Sequence, residues 1–138
     1  MNKKILIKLQ REDELSRFLE SHGFTVEELS NDVFRVQRED ELPVFLKVDE
    51  KQIYFEVDLG NIEAIITQDL LLALLALNTE ILPVSAGFDT SNPEDRRLVL
   101  VESRETCDLN DQELLAVFDA LELAVDRVTE LLSPSINA

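Results

Sequence analysis

The sequence predicts an α+β domain with a mostly antiparallel sheet, its elements running helix, three strands, helix, two strands, helix. Three observations carry this expectation. Residues 33–38, 42–48 and 52–59 are consecutive strand-like segments joined by short polar turns, the pattern of an antiparallel meander. Residues 67–78 (TQDLLLALLALN) are a leucine-rich helix placed between strands. Residues 114–132 keep apolar side chains three and four apart for about five turns, the period of a helix with one buried face.

Residues 5–9 (ILIKL) read equally as a short strand or as an extension of the first helix, and both readings stay open. Leu15, Phe18 and Leu19 follow helical spacing after Glu12, Asp13 and Glu14, and His22 then Gly23 end the segment. Acid at the start and glycine at the stop are the expected terminal signals of a helix. Phe24, Val26 and Leu29 lead into a turn at Ser30, Asn31 and Asp32. In residues 33–38, Phe34 and Val36 then alternate with Val33, Arg35 and Gln37, as in a strand. Pro43 is tolerable only at the beginning of the next strand, which runs to Val48. Asp49, Glu50 and Lys51 turn the chain into the third strand.

Gly60 and Asn61 break the pattern before the leucine-rich helix, and the Thr67 hydroxyl is its expected cap. Residues 82–88 (LPVSAGF) and 97–102 (RLVLVE) read as two further strands, separated by a polar loop that carries Pro93. Asn110 with Glu113 makes a capping-box-like pair for the last helix, and Leu109 is placed to staple onto Leu114. Ser133, Pro134 and Ser135 are expected to end it. A length of 138 residues suits one domain spanning 1–138, with 1–9 and 133–138 as loose ends. The hexapeptide QREDEL occurs at 10–15 and again at 37–42, but its flanks do not repeat, so it is read as coincidence.

Charge bounds the partners. The 29 acidic and 13 basic residues leave a formal charge of −16. Such a surface repels phosphate backbones and anionic lipid, which argues against direct nucleic-acid binding and membrane insertion, and favours a basic peptide or protein. With no tryptophan and one tyrosine, an aromatic platform for stacking bases or sugars is not expected. One cysteine, Cys107, cannot form an internal disulfide and fits a reducing compartment. The apolar run after Lys3 and Lys4 is too short for a signal-peptide core, and no segment is long enough to span a membrane. The expected location is the cytoplasm.

No pattern of residues announces chemistry, and no catalytic, cofactor or metal-binding residue is assigned. His22 beside a helix-ending glycine is the usual servant of the helix dipole. No second imidazole exists for a zinc site, and only distance along the chain leaves a Cys107–His22 nucleophilic pair open. The acidic clusters 12–14, 39–41 and 49–50 fall at turns or a helix start, where solvated carboxylates are ordinary. Residues 89–95 are rich in oxygen ligands but lack the glycine and the bidentate glutamate of a calcium loop. Gly23, Gly60 and Gly87 are isolated, so no phosphate-cradling loop is expected.

The leucine-rich helix carries the functional expectation. At about 100° per residue, leucines at 70, 71, 72, 74, 75 and 77 cover an arc of about 220°. A helix packing one face on one core needs a stripe only a little wider than about 100°. Ala73 and Ala76 fill the gaps in the arc and permit close approach. A second copy of the chain is therefore expected against this helix, with Leu70, Leu71, Leu74, Leu75 and Leu77 as the dimer interface.

The motifs Glu41-Leu42-Pro43-Val44, the helix end Leu74-Leu75 with Asn78, and Leu82-Pro83-Val84-Ser85 resemble the bacterial YjfI-like family, a domain of unknown function, over roughly residues 12–132. The element order also resembles the fold of small, acidic type III secretion chaperones. That resemblance implies a homodimer formed through the middle helix and a protein partner held by apolar patches and strand edges. The residues Ser103, Arg104, Glu105 and Thr106 depart from it, standing where small apolar residues are expected. The first expectation is thus a non-enzymatic, homodimeric, protein-binding adaptor or chaperone-like module. A small-molecule binder or enzyme with an unannounced cleft is the second, and an acidic nucleic-acid mimic the third.

Overall fold

The computed structural model describes residues 12–106 and 109–136. The segment 5–9 and Cys107 lie outside these residues. Helix α1 spans Glu12–Ser21, followed by strands β1 (Phe24–Ser30), β2 (Val33–Arg38), β3 (Val44–Val48) and β4 (Gln52–Gly60). A 3-10 turn at Glu63–Ile65 leads into α2 (Gln68–Leu77). Strands β5 (Ser85–Asp89) and β6 (Arg97–Glu105) and the long helix α3 (Asp111–Ile136) complete the chain. The six strands form one sheet in the order β1-β2-β3-β4-β6-β5, every pair antiparallel.

Turn chemistry sets the connections. Gly23 takes a φ of 90°, a backbone state that a Cβ disfavours, and so stops α1 and starts β1. Asp32, at φ 64°, turns β1 into β2. The Asp49 carboxylate accepts from the backbone N–H groups of Lys51 and Gln52 at 2.8 and 2.7 Å, closing the β3–β4 hairpin and holding its pKa below the ordinary aspartate range. At the end of β4 the register shifts between Asp58 and Gly60, where Gly60 has φ 96° and donates to Asp58 Oδ1 at 2.8 Å.

Strand pleating then builds the core. Phe34 and Val36 on β2, Val44, Leu46 and Val48 on β3, Ile53, Phe55 and Val57 on β4, and Leu98 and Leu100 on β6 alternate onto one face and are buried. All three helices contribute to that same cluster, through Leu15 and Leu19 of α1, Leu70, Leu74 and Leu77 of α2, and the inner stripe of α3 from Leu114 to Leu132. Phe118 of α3 sits at its centre, with ring centroids 4.6 Å from Phe24 and 5.7 Å from Phe55. The opposite face of the sheet carries Arg35, Phe45, Lys47, Tyr54 and Glu56.

The caps expected for the helices form. Thr67 Oγ1 accepts from the N–H of Leu70 at 3.1 Å, and Asn110 Oδ1 from that of Glu113 at 2.9 Å, with Asn110 Nδ2 returning a bond to Glu113 Oε1 at 2.8 Å. Leu109 and Leu114 are both buried in the core.

Several boundaries differ from expectation; β3 starts at Val44 and β6 runs on to Glu105. Residues 24–30 form a strand where only a lead-in to the turn is expected, because their backbone pairs with β2 from Phe24↔Arg38 to Ser30↔Val33; the turn itself follows at Asn31 and Asp32. The strand expected at 82–88 begins only at Ser85, since Leu82 and Pro83 belong to a turn closed by Val84 N–H donating to Ile81 O at 3.0 Å. Helix α3 passes through Ser133, Pro134 and Ser135 and ends at Ile136. Proline removes one donor there, but Glu130, whose carbonyl loses it, stands at an exposed position.

Candidate protein-interaction site

The site begins with how α2 is held. Ahead of it, Arg96 pairs with Glu63 at 2.7 Å, and Arg97 bridges Asp58 at 2.9 Å and Asp95 at 3.2 Å. Asn61 donates to the same Asp95 at 2.9 Å. The Asn61 and Arg97 hydrogen bonds hold the Asp95 carboxyl below the usual aspartate range. These contacts fasten the start of β6 to the chain entering α2. Behind the helix, Asn78 accepts from the Ala86 N–H at 2.7 Å and donates to the Ala86 carbonyl at 3.2 Å. One side-chain amide thus satisfies both backbone groups of Ala86 on the outer strand β5.

Fixed at both ends, α2 turns Leu70, Leu74 and Leu77 into the core. Leu71 is half-buried, while Leu72 and Leu75 remain 57% and 65% exposed. The five leucines expected at a dimer interface are therefore divided. Three fill the chain's own core, and Leu71 and Leu75 bound its surface. The separation follows helical period: Leu70, Leu74 and Leu77 lie one turn apart, and Leu72 and Leu75 share the opposite side.

Between α2 and β5 runs an apolar groove of about 260 Å³, lined by Leu71, Leu74, Leu75, Ala86, Phe88 and Leu98 together with Gly87. Leu98 and Leu74 form its floor, and Leu75 and the half-exposed Phe88 its rims. No lining side chain is a nucleophile, an acid, a base or a ligand donor, so what this arrangement can do is take up apolar side chains. Among residues outside the expected set, Ala86, Phe88 and Leu98 line this groove. Nothing in the sequence indicates which face of β5 meets α2.

The remaining candidates fall elsewhere. His22 is exposed at the end of α1, its Nδ1 3.0 Å from the Phe18 carbonyl and 3.1 Å from Ser21 Oγ. In the 89–95 loop, Asp89 and Asn92 accept from the N–H groups of Ser91 and Glu94 at 3.0 and 3.1 Å, so these oxygens shape turns. No helix is long and apolar enough to cross a membrane among the described residues.

Compared with solved structures, 87% of the chain aligns with 98% of the SpcU chain from the heterodimeric ExoU–SpcU complex of the Pseudomonas aeruginosa type III secretion system, at TM-score 0.69 and 22% identity. The Yersinia pestis type III secretion chaperone SycH, in complex with a fragment of YscM2, matches over 85% of this chain and 95% of its own, at TM-score 0.58 and 20% identity. The chain has the fold of type III secretion chaperones. YbjN of E. coli, described as a candidate transcription regulator, shares it too, at TM-score 0.60 and 20% identity over 91% of this chain and 87% of that one. No family model and no curated protein matches the sequence. At these identities the likeness shows the fold alone, and the site must argue for itself.

Proposed function

We propose that this chain is a non-enzymatic, single-domain protein-binding adaptor or chaperone-like module of the cytoplasm, working as a homodimer joined across α2 and the β5 rim. One observation carries the reading: a helix whose inner leucines complete the core still presents Leu72 and Leu75 to solvent, Leu75 on the rim of a groove with no polar side chain. Removing a leucine or phenylalanine side chain from water contributes about 1.5–3 kcal/mol. A two-fold contact uses each such residue twice. The SpcU and SycH structures, each with a protein partner, support a polypeptide as the cargo. The formal charge of −16 favours a basic one. Kinship with the YjfI-like family belongs to the same reading, resting on Glu41-Leu42-Pro43-Val44 and the residues around Asn78.

The test is light scattering on the intact chain at micromolar concentration. Wild type is expected at twice the chain mass, and Leu75→Asp at the mass of one folded chain, because Leu75 is outside the subunit core. A monomeric wild type would overturn the dimer.

A further inference from the structure

A second groove lies away from the one beside β5. It runs between the turn after α2 and the middle of α3, encloses about 250 Å³, and is lined by Glu80, Ile81, Leu82, Ala120, Leu123, Ala124 and Arg127. Ile81 and Ala124 are buried and form its floor, where the small side chains of Ala120 and Ala124, one turn apart, leave the depth. Its walls are Leu82 and Leu123, 69% and 67% exposed. Arg127 and Glu80, paired at 2.8 Å, close one end.

The surroundings are acidic. Glu122 and Asp126 flank Leu123 on α3, and Asp119 and Glu130 extend the same surface by a turn each way. Arg38 engages Asp119 at 2.9 Å, and Arg127 is already taken by Glu80. Asp126 and Glu130 form no ion pair with a described residue. Burial, then the neighbouring carboxylates of Glu41 and Asp126, push the Glu122 carboxyl above its ordinary range, against the pull of Arg38. Negative charge is thus in excess around an apolar slot. Anionic lipid headgroups and nucleic-acid phosphates are repelled by such a frame.

We infer that the Leu82–Leu123 groove is a docking site for a basic, amphipathic segment of a partner protein. One large apolar side chain of the segment seats between the two leucines, and its flanking lysines or arginines meet Glu122, Asp126 and Glu130. This deepens the protein-binding reading above and rests on it, by assigning the partner's chemistry to a surface separate from the α2–β5 groove.

The probe is a labelled synthetic peptide of leucine and lysine at helical spacing, titrated into the intact chain by fluorescence anisotropy. Leu123→Asp separates docking from plain charge attraction, since it adds a negative charge while spoiling the slot. The expected result is binding that weakens with salt and falls about tenfold or more in Leu123→Asp. Leu82→Asp should behave likewise, and Leu29→Asp, at an exposed position of β1 outside both grooves, should bind like wild type. Equal or tighter binding to Leu123→Asp would reduce the interaction to net charge and overturn the proposal. So would equal weakening by Leu29→Asp, or wild-type binding to phosphatidylglycerol vesicles that Leu123→Asp abolishes. Light scattering on the same samples keeps the two readings apart. A monomeric wild type overturns the dimer without touching this comparison, whereas loss of the dimer in Leu123→Asp would make this groove a contact between copies and overturn the docking site.

Discussion

Glu102 and Arg104, two residues apart on one face of β6, form an ion pair at 2.7 Å that is half inside the protein. The Glu102 side chain is 1% exposed and that of Arg104 36%. Oε1 takes the Arg104 Nε–H, while Oε2 is buried with no hydrogen-bond partner among the described residues. Directly across the ladder from Glu102 stands Phe55, and from Arg104 Ile53, so the carboxylate is embedded in the apolar face of the sheet.

The first prediction follows from that imbalance. Arg104→Ala strands a buried charge and should lower unfolding free energy by about 1–3 kcal/mol, its partial exposure keeping the cost below that of a fully buried pair. Adding Glu102→Leu to it should restore most of the loss. Chemical denaturation of the two variants measures this, and a double variant no better than Arg104→Ala would show that the buried carboxylate is not what suffers.

The two sides of α2 should answer differently. Leu74→Ala opens a cavity in the core and should cost about 2–5 kcal/mol of subunit stability. Leu75→Ala changes an exposed position and should leave subunit stability within about 0.5 kcal/mol. Its effect should instead fall on association, read as a raised dissociation constant in sedimentation. Equal unfolding losses from both would contradict the helix orientation.

A pH effect is expected at Glu56, on the open face of the sheet. Burial first, then Asp89 and Asp58, raise its pKa, with the Tyr54 hydrogen bond working the other way. A carboxyl whose folded pKa lies above its unfolded value favours the folded state most when protonated. That contribution is complete below the unfolded pKa and is lost as pH rises through the folded one. Glu56→Gln should therefore stabilise the chain at neutral pH, with the advantage shrinking as pH falls through the carboxylate range. An advantage that stays constant from neutral to acid would contradict it.

Thr67→Ala removes the acceptor for the Leu70 N–H and should cost about 1 kcal/mol. Because this cap starts the helix that borders the α2–β5 groove, amide exchange in the first turn of α2 should quicken more than in α3. Uniform quickening across both helices would show a global effect.

What the sequence showed depended on where each element keeps its information. The α3 stripe, the β2–β4 meander and the Thr67 and Asn110 caps are written in local residue types, and the structure has them where expected. Strand β1 was hidden because, of its residues, Phe24 alone is fully buried while Glu27, Glu28 and Leu29 face water. It exists through pairing with β2, and its alternation is short, ending with Phe24 and Val26 inward and Thr25 and Glu27 outward. Strand β5, with Ser85, Ala86 and Gly87, is equally faint. The leucine arc revealed an excess of apolar surface on α2. It could not show the phase at which the sheet cuts that arc, which decides that Leu74 is inside and Leu75 outside. The Leu82–Leu123 groove joins residues that only the packing of α3 brings together.

Sheets tend to grow sideways, and the Asn78 amide bears on that tendency. An incoming strand at the β5 rim would first have to evict a side chain already bonded to Ala86 through both of its polar atoms. The far margin, along β1, has no such placeholder among the described residues and relies on the like charges of Glu27 and Glu28 instead. Runaway stacking of this protein would therefore start at β1, and it would be encouraged by replacing those two side chains with uncharged ones.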